Sequence, residues 1–529
     1  MSLFVTSTIR FHSRATRIKI VKLLPLVLLS LIGISIQGAG PSPLAPKWED
    51  LAAEWKCPEW IQDAKFGLWL HWGPQSVPEY GGGWYARHMY LEPQKLGEEQ
   101  WGKNAWEYHR KKFGHQSEFG YKEVCRAWRA EKFNAESTIL QFKEWGARYV
   151  AIMGNHHDNY DLFNSSVHLW NATRVGPKRD IVGEFAAAAR RHGLPWVVTV
   201  HASRAPSFFD SAFGSDSEGE KKGVPYDGVL TREDGQGKWW EGLDPQQLYA
   251  THYPAFEREF LQRVTDLVQN YQPDMLYYDD AEIPRGTGPA ALLYAQSKAR
   301  HGSIQAVVTV KSPQTGTMQD IEKGGTGGLE PLPWQTDTTL AEDWFLKYDN
   351  GDKTLRHDLR SLVENLVDIV SKNGVLLLNV AVRADGSVPD DQRTVLNGLG
   401  DWLRQHGEAV YATRPWKTHG VGGVIQGGHF NERLRDSQPW GADVLRFTRN
   451  KENDRLYVFV FGMVESRDLT IGPLARKAGY FQGHIRNVIS LGTRDRLAWA
   501  LEDDGLRVHL PKITHPPHCA VLAVDVDAL

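Results

Sequence analysis

Residues 153–166 read MGNHHDNYDLFNSS. Two adjacent imidazoles, His156 and His157, stand there among Asn155, Asp158, Asn159 and Asp161. Several hydrogen-bonding groups converging on one pocket suit a polyhydroxylated ligand such as a sugar. The stretch follows the apolar run 149–152, which reads as a buried parallel strand. In a β/α barrel the carboxyl ends of the strands build the active site. The competing reading of the two histidines is a solvated loop.

Hydrolysis of a glycoside needs two carboxyl groups, one ionised to attack or to activate water and one protonated to help the leaving oxygen. Asp279 and Asp280 end the apolar run 275–278, so this pair faces the loop side of such a barrel, with turn or helix capping as the alternative role for either one. A second source is residues 320–330, DIEKGGTGGLE, which follow a strand at 306–310. Its glycines allow Glu322 to fold over the barrel mouth, and equally allow a solvated loop, with Asp320 as the other carboxylate. His71 closes the first strand in His71-Trp72-Gly73, either as a hydroxyl ligand or as a core histidine. His71, His156, His157 and Asp158 lack the i, i+4 helical spacing of zinc proteases, so neither a catalytic metal nor any other cofactor is expected.

These residues need a scaffold that brings strand ends together. Short apolar runs at 65–72, 148–153, 194–201, 274–279, 305–310 and 374–380 predict strands. Helical patterns at 136–145, 181–192, 256–271, 289–300, 355–371 and 391–406 lie between or after them. In the fifth, Leu359, Leu362, Val363, Leu366, Ile369 and Val370 fall on one helix face. Strand–helix alternation of this extent predicts a parallel sheet covered by helices. A (β/α)8-like TIM barrel over residues 41–413 is favoured. The doubly wound alternative lacks a glycine-rich dinucleotide fingerprint after its first strand. From residue 414 the texture changes to short β-branched and aromatic runs at 444–447, 456–461, 484–489 and 506–510, which predict a C-terminal antiparallel β-sandwich over 414–529. Gly and Pro clusters at 81–83, 214–228 and 324–333 mark long loops, which on a barrel are usually functional.

The chain has 529 residues, a net charge of −3 and 41% hydrophobic residues, enough for two domains and giving no electrostatic case for nucleic acid or an acidic membrane surface. Twenty Trp and eighteen Tyr mostly serve core packing, and some suit stacking against the apolar faces of a pyranose. Cys57, Cys125 and Cys519 are far apart, odd in number and fit no metal spacing. Residues 10–22 are basic, 23–36 apolar, and Gly38, Ala39 and Gly40 small, which is the order of a signal peptide over residues 1–40. The predicted mature protein is secreted or periplasmic and not membrane-bound; an uncleaved anchor is the alternative.

Taken together, these segments resemble the α-L-fucosidases of glycoside hydrolase family 29, over roughly residues 50–417. KFGLWLHWGPQSVPEY (65–80) looks like the family's first-strand motif, NHHDNYDLFNS (155–165) like its histidine segment, and QPDMLYYDD (272–280) like its nucleophile strand. LVDIVSKNGVLLLNVAVRADGSVP (366–389) resembles the block before the last barrel helix. The resemblance implies Asp279 as nucleophile and His71, His156 and His157 as sugar ligands, in a retaining exo-hydrolase that takes fucosylated oligosaccharide or polysaccharide. Glu322 is the carboxylate most nearly in register for the acid/base, with Asp320 behind it. Lys311 and His201 fall at positions near substrate. The family often has Glu-Trp-Tyr where this chain has Gly83, Trp84 and Tyr85, and Trp-Glu where it has Trp334 and Gln335. The aromatic members of both, Trp84, Tyr85 and Trp334, remain candidate ligands, while Gln335 is ruled out as an acid. A sister enzyme for α-L-galactose and a catalytically silent sugar-binding protein are the alternatives, and retention of both Asp279 and Glu322 speaks against the latter.

Overall fold

A computed structural model of the chain describes residues 46–280, 286–348, 354–462, 467–511 and 518–529. The signal peptide expected at residues 1–40 lies outside them.

Eight parallel strands form the central sheet: β1 (Phe66–Leu70), β2 (Tyr149–Asn155), β3 (Trp196–Val200), β4 (Met275–Tyr278), β5 (Val307–Val310), β6 (Met318–Gln319), β7 (Trp334–Thr339) and β8 (Gly374–Asn379). Their order is β6-β5-β4-β3-β2-β1-β8-β7, and a parallel bridge from Asp320 to Gln335 joins the two ends into a barrel. Each strand but the two-residue β6 is buried on both faces, which is why most read as continuous apolar runs rather than alternating ones. The faces still sort by the period of two. Trp69, Tyr149, Ala151, Val197, Met275, Tyr277, Val307, Val375 and Leu377 fill the interior, plugged at the amino end by Ile61 and Ala64. Leu68, Val150, Val198, Leu276, Val308 and Leu376 face the surrounding layer instead.

All six predicted helices form: Ala135–Glu144, Ile181–Arg191, Phe256–Tyr271, Thr287–His301, Leu359–Ser371 and Asp390–His406. Two predicted features differ. β7, sequence WQTDTT, carries polar inward side chains and gave no apolar run. Between β5, β6 and β7 the chain runs without a helix, so residues 324–333 lie over the outer wall there, where Ile321, Gly325, Trp334 and Gly427 line a cavity of about 500 Å³.

Beyond the last barrel helix come two antiparallel sheets. One is ordered β13 (Ile485–Ser490), β16 (Cys519–Val526), β11 (Arg455–Phe461), β10 (Leu445–Arg449), β9 (Arg414–Val421); the other is β12 (Arg467–Ile471), β15 (Gly505–Leu510), β14 (Trp499–Glu502). They share a core of Leu456, Val458, Val460, Leu469, Ile471, Leu506, Val508, Leu522 and Val524, making a sandwich. The opposite face of β11 and β16, with Tyr457, Phe459, Phe461, Val521 and Ala523, packs into the barrel's outer core. β11 is therefore wet on neither side, which explains its weak alternation. Arg446 of β10 is fully buried and reaches across this contact to Asp368 at 2.7 Å, where Lys372 adds a second cation at 2.8 Å. All three cysteines are free thiols. Among the described residues no helix is long and apolar enough to cross a membrane.

Candidate active site

Strand parity places the chemistry. Two residues past an inward-facing side chain, the next inward position emerges at the carboxyl rim. His71 follows Trp69, and Asp279 follows Tyr277, in this way; His201 and Lys311 stand four beyond Val197 and Val307. Glu322 stands four beyond Met318. The histidine pair arrives by another device. The β2–β3 register slips between Met153 and Asn155, a bulge at Gly154 that turns the strand end and aims both His156 and His157 at the mouth. The other polar residues of that segment are consumed as scaffold. Asp161 grips the buried Arg263 at 2.6 Å, Asn159 Oδ1 accepts from the same guanidinium, and Asp158 accepts from Tyr121 OH at 2.5 Å.

Asp279 is the electrostatic hub. Its Oδ2 lies 3.2 Å from His201 Nδ1 and 3.6 Å from His71 Nε2, and its Oδ1 lies 2.8 Å from Lys311 Nζ. The same ammonium contacts Glu322 Oε2 at 2.6 Å. Asp279 Oδ1 and Glu322 Oε2 are therefore no more than 5.4 Å apart, the sum of those two contacts. Burial alone would raise the Asp279 pKa, but His201 and Lys311 outweigh it and hold this carboxylate well below its ordinary range. Burial also opposes a charge on Lys311, and its carboxylate neighbours, Asp279 first, overcome it and raise its pKa. Burial disfavours charge on His201 too, yet Asp279 and Asp280 leave its pKa raised. His71, His156 and His157 behave oppositely: burial holds all three below the ordinary imidazole range. Burial thus favours the neutral form of three imidazoles, each with a donor and an acceptor, beside a fourth ring, His201, whose carboxylate neighbours favour its charged form. Gln75 Nε2 lies 3.1 Å from His156 Nδ1.

Glu322 does not arrive on a free glycine loop. Residues 320–323 continue β6 alongside β7, with Ile321 N–H donating to Gln335 O at 2.9 Å and Lys323 N–H to Asp337 O at 2.7 Å. Seam pairing, rather than the glycines at 324–328, carries the carboxylate to the mouth. Asp320 sits one layer deeper and is fully buried, its two oxygens accepting from Gln335 Nε2 and Tyr277 OH at 2.9 Å each. Tyr277 OH also lies 3.1 Å from Asp337 Oδ2. Burial pushes Asp320 up to about 6, and burial together with Asp320 raises Asp337 well above the carboxylate range.

Of the residues expected at the site, His71, His156, His157, His201, Asp279, Lys311 and Glu322 converge on the mouth. Trp84 joins them at the rim, its ring 5.8 Å from that of His157. Two do not join. Tyr85 is fully buried and its hydroxyl is 2.6 Å from His109 Nδ1, so it is spent inside the β1–β2 insertion. Trp334 begins β7 opposite Gly374, at the amino end of the barrel and on its outer face, with its indole donating to Lys372 O at 3.0 Å. The resemblance made it a candidate ligand; its strand position shows packing. Trp344 and Phe345 gave no sequence signal and do reach the mouth. Trp344 lies 4.9 Å from the His71 ring, and Phe345 lies 5.1 Å from that of His156. An aromatic pair in an irregular stretch reads as ordinary core, and only the fold reveals its place.

Two groups bring ligand atoms within 4.8 Å of one another in the manner of a metal site, His71-His156-His201 and His157-His201-Asp280. Both share His201, which is already engaged with Asp279 and Asp280.

Comparison with known proteins gives a consistent picture. A family model described as α-L-fucosidase matches residues 35–408. The plasma α-L-fucosidase of Homo sapiens is 27% identical over 497 residues, 89% of each chain, and the tissue α-L-fucosidase of Rattus norvegicus is 28% identical over 74% of this chain and 78% of its own. Among solved structures, the α-fucosidase of Thermotoga maritima superposes with a TM-score of 0.65 at 26% identity, covering 90% of this chain and 99% of that one.

Proposed function

This chain belongs to the α-L-fucosidase family and is a glycoside hydrolase, and we propose that it releases terminal α-L-fucose from fucosylated glycans by a retaining double displacement in which Asp279 is the nucleophile and Glu322 the acid/base. The observation that carries the reading is the bound of 5.4 Å between the two carboxylates. Retaining enzymes hold the pair about 5–5.5 Å apart, and inverting enzymes leave room for a water at about 6.5–9.5 Å.

In the first step an oxygen of Asp279 bonds to the anomeric carbon while Glu322 gives its proton to the departing glycosidic oxygen. Asp279 suits attack because Lys311 and His201 keep it ionised in a buried place. Proton donation requires Glu322 to be clear of the ammonium, so the arriving sugar displaces Lys311 from Glu322 and leaves it on Asp279. In the second step Glu322 takes a proton from water, the hydroxide oxygen bonds to the anomeric carbon, and Asp279 leaves. Two inversions return the α anomer. His71, His156 and His157 bind the ring hydroxyls, and Trp344, Phe345 and Phe208, whose ring lies 5.4 Å from that of His157, give the C5 methyl an apolar wall. An apolar wall rejects an added hydroxyl only weakly, so aryl α-L-galactoside should be turned over roughly 10–100-fold more slowly than the fucoside. Catalysis is assigned to residues 41–413, bracing to 414–529, and export to the leader at 1–40; mass spectrometry of the secreted protein, finding an amino terminus near residue 40, checks the last.

Proton NMR during hydrolysis of an aryl α-L-fucoside tests the mechanism. First appearance of α-fucose, later mutarotating, is expected; first appearance of β-fucose refutes retention.

A further inference from the structure

Resting on the assignment of Glu322 as acid/base, we propose that His429 and Phe430, from the segment between β9 and β10, form the subsite for the sugar to which fucose is attached. An acid that protonates the glycosidic oxygen must touch the leaving group, so that sugar packs against whatever flanks Glu322 on its solvent side. The residues there come from beyond the barrel. Glu322 N–H donates to His429 Nδ1 at 2.9 Å, and Phe430 N–H donates to Glu322 O at 2.9 Å. Gly325 and Gly428 exchange both backbone bonds, and Glu432 N–H donates to Lys323 O at 3.1 Å.

The root of this segment is fixed and its tip is not covered. Glu432 pairs with Arg356 at 2.5 Å and His357 at 3.3 Å, and Arg433 pairs with Glu364 at 2.7 Å. Phe430 is 64% exposed and adopts a φ of +61°. Single exposed apolar side chains are common. A bulky residue in the left-handed region is uncommon and costs free energy, which native structures retain where the surroundings or a function require it. Here the same residue bonds to the main chain of the proposed acid and leaves its phenyl ring exposed, with the His429 ring 6.3 Å away. The chemistry of that surface fits a pyranose. A flat aromatic face takes the apolar C–H side of the ring, and an imidazole takes a hydroxyl.

The test compares kcat/KM for two kinds of substrate. One is the best-cleaved member of a panel of 2-, 3-, 4- and 6-linked fucosyl disaccharides; the other is α-L-fucosyl fluoride, whose leaving group is one atom. Phe430→Ala and Phe430→Gly should lower the disaccharide-to-fluoride ratio on the order of 5–10-fold, and Phe430→Trp should restore it. Phe430→Gly should also raise Tm, since glycine accepts that φ without strain, so lost disaccharide activity cannot be ascribed to unfolding. An unchanged ratio in both Ala and Gly variants overturns the subsite. Glu322→Ala, measured on the same substrates, keeps the two claims apart: if fluoride and disaccharide fall equally there, the acid assignment fails, whatever Phe430 does.

Discussion

Two carboxyl pairs surround Lys311, and they differ by one layer of the barrel. The outer pair, Asp279 and Glu322, is spanned by the ammonium, with contacts of 2.8 and 2.6 Å. The inner pair, Asp320 and Asp337, is fully buried and shares the hydroxyl of Tyr277, and among the described residues no ion pair spans it. A phenol has one proton and cannot donate to two carboxylates at once, and two buried carboxylates in such proximity cannot both be ionised cheaply. In the proposed mechanism the outer pair attacks and exchanges protons, whereas burial favours a proton on the inner pair. Asp320 and Glu322 are two residues apart on the same strand extension. Depth along the barrel axis and the contact with Lys311, not residue type, separate the pair proposed to react from the pair inside the barrel.

The sharpest way to break this comparison is to exchange the pairs' roles by mutation. Asp279→Gly should lower kcat/KM by ~10⁴-fold or more, as losses of a covalent nucleophile do, and azide should restore turnover with β-fucosyl azide as product. Asp337→Asn should stay within about tenfold of the native rate, because general electrostatic support is a smaller term than the bond-forming group. Comparable losses in the two variants would erase the distinction. Next in size, Glu322→Ala should slow substrates with poor leaving groups by ~10²–10⁴-fold and activated aryl fucosides far less. If Asp320→Asn reproduces that leaving-group dependence instead, the acid belongs to the inner pair.

A third measurement reads the inner pair through stability. Both its carboxyls have pKa values raised in the folded chain, so the folded state binds protons that the unfolded chain, titrating near 3.9, has released. Stability is then fullest at low pH and drains as pH rises through the folded value, about 6 for Asp320. Asp337→Asn removes one charge of the pair, and the fall in Tm between about pH 5.5 and 8.5 should shrink by roughly 1–3 °C. An unaltered pH dependence of Tm would mean that the pair holds no proton. Last and smallest, the outer pair's cation is an ammonium rather than a metal, so prolonged chelation should leave turnover unchanged; loss that zinc restores would reassign the histidine cluster.

The same contrast marks what could be read from sequence. Six barrel strands announce themselves because both faces are apolar. β7 escapes because Gln335, Asp337 and Thr339 build a polar seam inside the barrel, and β6 because two residues carry no period. In the sandwich, β9 and β14 are half-exposed edge strands whose polarity hides them. Asp279 and the histidines are legible because they sit where apolar strands stop. Glu322 is legible only as one of two loop carboxylates, since its pairing with β7 depends on contacts between segments far apart in sequence. Tyr85 and Trp334 mislead for a related reason. Likeness to a family motif says nothing about which face of its element an aromatic occupies: Tyr85 is buried within the β1–β2 insertion and Trp334 packs on the outer face of the barrel.

The grip of residues 428–432 on the strand extension that bears Glu322 also has a consequence in time. A barrel emerging from the ribosome can pair β1 to β8 before residue 414 exists, and domains generally fold in that order. Glu322, the proposed proton donor, would still lack the partners of its own main chain. Those partners are rooted on the barrel itself, through Glu432 to Arg356 and His357 and through Arg433 to Glu364. The nascent chain thus holds the barrel mouth before the proposed acid has the partners of its main chain, which arrive only with residues 428–432.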